Sequence, residues 1–215
     1  MIKSGFDFIA PFYDTLTAIV FGKTLRQAQL TFLAQIPAGS NLLLIGGGTG
    51  WLLKEVCRQV PTSNIVYLEA SAKMLQLSKK KMAGLPQTNI EFRLGTEKSL
   101  KPEEKFDFII SPFLLDLFPP AELRILCRNL NEALRVGGCW QVTDFVPPTG
   151  NGIWFLAQKE LLKSMYVFFR LISKINASEL PDWEKSMLEF SLDPQKTVYF
   201  YRGMIKSVLY QKVKL

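Results

Sequence analysis

The chain's best candidate for chemistry is Ile45-Gly46-Gly47-Gly48-Thr49-Gly50. It follows the apolar run Leu42-Leu43-Leu44-Ile45 and precedes a stretch with apolar residues at 52, 53, 56 and 60, the spacing of one helix face. Glycines between a strand and a helix let the backbone turn sharply and come close to a ligand. A dinucleotide-type G-x-G-x-x-G needs its third glycine at 51, where this chain has Trp51. A phosphate-cradling Walker loop ends in Gly-Lys-Ser/Thr, which is absent. What remains is G-x-G-x-G at Gly46, Gly48 and Gly50. A second apolar run, Ile65-Val66-Tyr67-Leu68, ends on Glu69. Ligands of such sheets bind beyond the carboxyl ends of the strands, so Glu69 is expected beside the glycine loop. A carboxylate there can accept hydrogen bonds from both ribose hydroxyls of a nucleoside. The glycines alone could be a structural turn; the acid in this context argues for a ligand.

Other chemistry is narrowed by absence. With no histidine in the chain, a Ser-His-Asp hydrolase and a His-bound zinc site are excluded. Any general base must come from Tyr13, Asp116 or Asp144. Asp144 ends the fifth expected strand and reads either as a base or as a loop-capping or ion-paired carboxylate. Cys57, Cys127 and Cys139 lie far apart among apolar neighbours, as reduced core thiols do. No metal site is expected. The net charge is +7, and Lys79-Lys80-Lys81 reads as a solvated helix face. No concentrated basic face or base pocket points to nucleic acid. No run of eighteen uncharged apolar residues marks an integral membrane segment, and the N-terminus lacks the apolar core of a signal peptide, so a cytoplasmic location is expected.

The elements that must position these residues alternate. Residues 6–36 read as helical with a break near Gly22, Asp14 and Thr24 being possible caps. Strands are expected at 42–45, 65–68, 90–94, 106–111 and 139–145, with helices at 51–60, 71–82 and 120–134 and a turn at Gly137-Gly138. This is the pattern of a doubly wound α/β domain with a parallel sheet. After Pro147-Pro148 comes a long helical stretch, 153–175. A short helix capped by Asp182 and a closing hairpin with its turn at Arg202-Gly203 follow.

Taken as a set, residues 42–50, 65–69, Gly95-Thr96-Glu97, 106–111 and 134–138 resemble the motifs of the class I S-adenosylmethionine (SAM)-dependent methyltransferases. The opening Phe6-Asp7-Phe8-Ile9-Ala10-Pro11-Phe12-Tyr13-Asp14 is similar to the start of the ubiquinone/menaquinone-biosynthesis C-methyltransferases. The resemblance implies a Rossmann-like, seven-stranded α/β sheet whose last strand is antiparallel. It also implies SAM as cofactor. Gly46, Gly47, Gly48 and Gly50 would serve its methionine part, and Glu69 its ribose. Ala70, Met74, Thr96, Glu97 and Ser111 would line the site, with Tyr13 over it. One methyltransferase domain is expected: an N-terminal helical lid (1–38), a cofactor core (40–146), a helical cap (147–192) and the hairpin (196–213).

Two departures matter. The family usually has an acid two positions before the first glycine, where this chain has Leu44. The fourth motif lacks Asn/Asp-Pro-Pro-Tyr/Phe, although Ser111-Pro112-Phe113 is faintly like it, which speaks against a nucleic-acid amino methyltransferase. The expected acceptor is a small apolar or phenolic molecule. Trp154, Phe155, Phe168 and Phe169 would either line its pocket or pack into the core or a dimer interface, with a membrane-surface role as a third option. The alternative to an enzyme is a non-catalytic relative acting as an interaction module.

Overall fold

The computed structural model describes residues 21–61, 63–84, 89–148, 150–173 and 180–214, with the side chains at 165, 166 and 168–173 outside the description. Tyr13, Phe12 and Asp14, and the side chains of Phe168 and Phe169, therefore lie outside the described residues.

The apolar runs become the strands of one sheet. In chain order the elements are α1 (Thr24–Leu30), β1 (Asn41–Ile45), α2 (Trp51–Gln59), β2 (Asn64–Glu69), α3 (Ala72–Met82), β3 (Asn89–Leu94) and β4 (Phe106–Pro112). Then follow α4 (Pro120–Ala133), β5 (Leu134–Phe145), α5 (Ile153–Ser173), α6 (Trp183–Leu188), β6 (Leu192–Phe200) and β7 (Ile205–Lys212). The sheet has seven strands in the order β3-β2-β1-β4-β5-β7-β6. β1 to β5 are parallel, and β7 is antiparallel to both of its neighbours. This is the expected Rossmann-like α/β sheet with its closing antiparallel hairpin.

β1 shows why the sheet is covered on both faces. Leu43 and Ile45 point into one hydrophobic cluster with α4, while Leu42 and Leu44 point into another with α2. A strand apolar on both faces needs helices on both faces. α4 supplies an inner stripe of Leu123, Leu126, Cys127 and Leu130, with Pro120 at its first turn. α3 is capped by Ser71, whose hydroxyl accepts from the Met74 amide at 3.1 Å. Asp182 caps α6, as expected, accepting from the Lys185 amide at 3.0 Å.

Two expectations fail locally. Thr24 does not cap α1; Lys23 occupies that position without a side-chain bond. The end of the helix is what is secured: the hydroxyl of Ser207 donates to the Ala28 carbonyl at 2.9 Å, and Nε2 of Gln141 to the Gln29 carbonyl at 2.8 Å. Gly137-Gly138 is not a turn ahead of the strand but a bulge within β5. Leu134 pairs with Phe106, yet Cys139 pairs with Phe108, so the extra residues loop out. A side chain on Gly138 would meet the carbonyl oxygens of Arg135 and Asp107 at 2.9 and 3.0 Å.

None of the three cysteines is in a disulfide; Cys57 and Cys127 are buried. Among the described residues no helix is long and apolar enough to cross a membrane, and no group of His, Cys, Asp and Glu could hold a metal ion.

Candidate cofactor site

β1 and β2 end side by side, and the parallel ladder continues one step into the loop, where the Gly46 amide donates to the Leu68 carbonyl at 2.9 Å. The loop then turns through left-handed backbone at Gly46 (φ 72°), Gly48 (φ 63°) and Gly50 (φ 82°), which favours glycine at all three. Their surroundings differ. A Cβ on Gly50 would come within 2.6 Å of the Ser78 side chain on α3, so this glycine allows the loop and helix to touch. A Cβ on Gly46 would approach Leu114 Cδ1 at 3.2 Å. At Gly48 nothing lies within 4 Å, and the loop opens into free space there.

The loop is held from beneath by two residues of β2. Tyr67 packs its ring under Gly47, where a Cβ would meet it at 2.5 Å, and its hydroxyl donates to the Gly48 carbonyl at 2.7 Å. Glu69 Oε2 accepts from the Gly48 amide at 3.0 Å, and Oε1 from the Ser71 amide at 2.9 Å. The carboxylate is 8% exposed and so joins the first strand's loop to the start of α3. Its two oxygens offer about four lone-pair positions, which suit hydroxyl donors as well as amides. Sequence reasoning placed Glu69 beside the loop but missed Tyr67, Ser78 and Leu114. Their roles follow from packing across elements, for which spacing along the chain carries no signal.

β3 delivers the next group. The Gly95 amide donates to the Glu69 carbonyl at 3.0 Å, which brings Gly95-Thr96-Glu97 against the end of β2. Thr96 is exposed and starts a short turn, while Glu97 is buried. Ala70 is exposed beside Glu69, and Met74 is buried in the first turn of α3. The structure therefore brings Gly46, Gly47, Gly48, Gly50, Glu69, Ala70, Thr96 and Glu97 to one end of the sheet. Ser111 is different. Its hydroxyl accepts from the Trp140 indole at 2.8 Å and is fully buried, so its side chain faces the core and not the loop.

Asp144 is also enclosed. It is fully buried, and Oδ2 accepts from the amides of Leu115 (2.8 Å) and Asp116 (3.3 Å) while Oδ1 accepts from that of Phe145 (2.9 Å). Burial, and then the neighbouring Asp116 carboxylate, push its pKa well above the usual carboxylate range. Of the two readings of Asp144, the geometry matches the loop cap: it fastens the turn Leu115–Leu117 whose preceding residue, Leu114, lies under Gly46. Phe113 enters that turn with φ 48°, a conformation costly for an aromatic residue.

These features fit a nucleoside-bearing ligand: left-handed glycines, an open backbone at Gly48, and an acceptor carboxylate one strand away. They define a class first, the Rossmann-like methyltransferase fold. A family described as "Methyltransferase domain" matches residues 42–138, from β1 into the β5 bulge. The chain is 32% identical over 117 residues to the ubiquinone/menaquinone biosynthesis C-methyltransferase of Hahella chejuensis, covering 53% of this chain and 46% of that one. To the malonyl-[acyl-carrier protein] O-methyltransferase of Priestia megaterium it is 26% identical, covering 71% and 52%. The chain thus spans about half the length of these curated relatives. Among solved structures, a chain of the complex between the Haloferax volcanii Trm112 methyltransferase activator and a methyltransferase matches end to end, covering 100% of both chains, with TM-score 0.73 at 13% identity. The N-methyltransferase NodS of Bradyrhizobium japonicum, solved with S-adenosylhomocysteine, matches with TM-score 0.62 at 13% identity, covering 88% and 84%. Over residues 42–138 the chain therefore matches a methyltransferase domain, and its sheet has the fold that these methyltransferase structures share.

Proposed function

We propose that this chain transfers the methyl group of SAM to a small, apolar or phenolic acceptor. One observation carries the reading: the Glu69 carboxylate holds the Gly48 amide 3.0 Å away, beside a backbone position with no protein atom in the space where a side chain would begin. In this reading the backbone of Gly46, Gly47, Gly48 and Gly50 lies along the methionine part of the cofactor. Glu69 receives the ribose hydroxyls, Ala70 and Met74 flank them, Thr96 and Glu97 reach toward the adenine, and Tyr13 joins from the N-terminal segment. Bound there, SAM supplies a methyl group already activated by its sulfonium charge. The task left to the protein is to align acceptor and methyl and exclude water, an effect worth up to about 7–11 kcal/mol. Asp144 serves as a positioning group for the turn beside the loop. Tyr13 is then the candidate to take a proton where the acceptor must lose one. Residues 1–38 and 147–192 act as lid and cap around the acceptor.

A second reading, a non-catalytic interaction module, is favoured by Leu44. It is fully buried in an apolar cluster with Tyr67 and Ile110, where the family places an acid. Calorimetry with SAM, S-adenosylhomocysteine and NAD, followed by transfer of a radiolabelled methyl group to a panel of phenolic and lipid-like acceptors, separates the two. Binding with transfer supports the enzyme. Binding without transfer to any acceptor supports the module. Tighter binding of NAD than of SAM overturns both.

A further inference from the structure

The first turn of α5 presents an apolar surface that the cofactor site does not use. Ile153 is 77% exposed, Trp154 61% and Leu156 59%, three large apolar side chains within four residues. The turn is firmly mounted. Gln158 and Leu162 face inward, and Gln158 Nε2 donates to the carbonyls of Tyr201 (3.4 Å) and Arg202 (3.2 Å) in the turn between β6 and β7. That turn holds two consecutive non-glycine residues in left-handed backbone, Tyr201 (φ 47°) and Arg202 (φ 55°). The costly conformation sets the Arg202 guanidinium 3.8 Å from the centre of the Trp154 ring.

Charge around the turn is one-sided. Residues 21–24, 150–164 and 199–205 carry Lys23, Lys159, Lys163 and Arg202 against Glu160 alone, in a chain whose net charge is +7. Lys23 is two residues beyond Phe21, whose ring lies 5.2 Å from that of Tyr201, so this lysine adjoins the same hairpin turn. Lys159 and Lys163 are exposed on the helix itself.

We propose that this surface docks on an anionic lipid bilayer, with Ile153, Trp154 and Leu156 entering the headgroup boundary and the flanking cations meeting lipid phosphates. An apolar wedge edged by lysine and arginine is the pattern of interfacial helices. The three side chains expose about 400 Å², half of what one partner contributes to a stable protein interface, so a second protein is a poorer match. The placement has a consequence. The hairpin turn lies at the end of the sheet where β5 finishes, Phe145 pairing with Ile205, the same end as the glycine loop. β7 is three strand spacings from β1, about 14 Å. Docking therefore turns the cofactor end of the sheet toward the bilayer, where a lipophilic acceptor would be drawn from.

The test is co-sedimentation of the full chain with vesicles of phosphatidylcholine alone and of an equal phosphatidylcholine–phosphatidylglycerol mixture, at low and high salt. Binding is expected to the anionic vesicles only and to fall with salt. Each cation near an anionic surface contributes about fivefold to partitioning, so Lys159→Glu with Lys163→Glu should weaken it by at least about 25-fold. Trp154→Ser should weaken it by about tenfold, and none of these variants should alter the melting shift produced by S-adenosylhomocysteine. Three results would overturn the proposal: no binding to the anionic vesicles, an equal loss when Lys79, Lys80 and Lys81 are changed to Glu, or a dimer in solution that Trp154→Ser dissociates. A wild-type chain that shows no shift with S-adenosylhomocysteine would count against the methyltransferase reading, while the vesicle result would still decide the docking surface.

Discussion

Replacing Glu69 with Ala tests the join between the glycine loop and the second strand. In the folded chain the carboxylate accepts from the Gly48 and Ser71 amides at 3.0 and 2.9 Å while 8% exposed. The substitution leaves both donors without this acceptor. A buried amide left unpaired, as at Ser71, costs about 1–3 kcal/mol, and the half-buried Gly48 amide costs less, so the substitution costs about 2–4 kcal/mol. For a chain of 215 residues each kcal/mol corresponds to about 2–4 °C, so the melting temperature should fall by roughly 5–15 °C. Glu69→Gln keeps one acceptor oxygen and should lose roughly half as much. The ribose hydroxyls lose a charged acceptor in both variants, which should weaken S-adenosylhomocysteine binding by roughly tenfold to a hundredfold. Scanning calorimetry reads the first effect and isothermal titration the second. If Glu69→Ala melts at the wild-type temperature, the carboxylate does not hold the loop. If it also binds S-adenosylhomocysteine with wild-type affinity, the ribose lies elsewhere.

Two neighbouring glycines should behave differently. Gly47→Ala drives a methyl group into the Tyr67 ring at 2.5 Å and should destabilise the fold by about 1–3 kcal/mol in urea titrations, because overpacking displaces the tyrosine. Gly48→Val meets no protein atom, so beyond the strain of its φ of 63° it should mainly abolish S-adenosylhomocysteine binding in a protein that still folds. Asp144 titrates well above the usual range in the folded chain, so the group lowers stability as pH rises from its unfolded value near 4 toward its folded one, and does not do so below both. Asp116→Asn removes the like charge and should flatten that slope in melts taken from acid to neutral pH; an unchanged slope would refute the coupling. Burial pushes the Cys127 thiol up to about 12, so it should resist maleimide labelling in the native state and react only on unfolding.

The sheet was legible because its signal is local. Every parallel strand in the structure begins and ends within a residue of its apolar run, except that β5 begins five residues early. There the pairing with β4 starts at Leu134, before the two glycines, and only the partner strand's register shows that the glycines form a bulge. Thr24 looked like a cap because its residue type suits one, yet α1 is secured at its other end by Ser207 and Gln141, more than a hundred residues away.

The chemistry divides along the same line. The glycine spacing, Glu69 at a strand end, the missing histidine and the closing hairpin depend on residue type and short-range order, and these determined the fold class and the expectation of a nucleoside-bearing ligand from the sequence alone. Tertiary structure decided what each side chain does. It turned Ser111 inward to Trp140, enclosed Asp144 as the clasp of a turn, and set Tyr67 beneath the loop. It also left Ile153, Trp154 and Leu156 outside, where an apolar helix in the sequence reads equally well as core or surface. A buried polar group must find a partner wherever the fold brings one, and an exposed apolar group is known only once every neighbour has been placed.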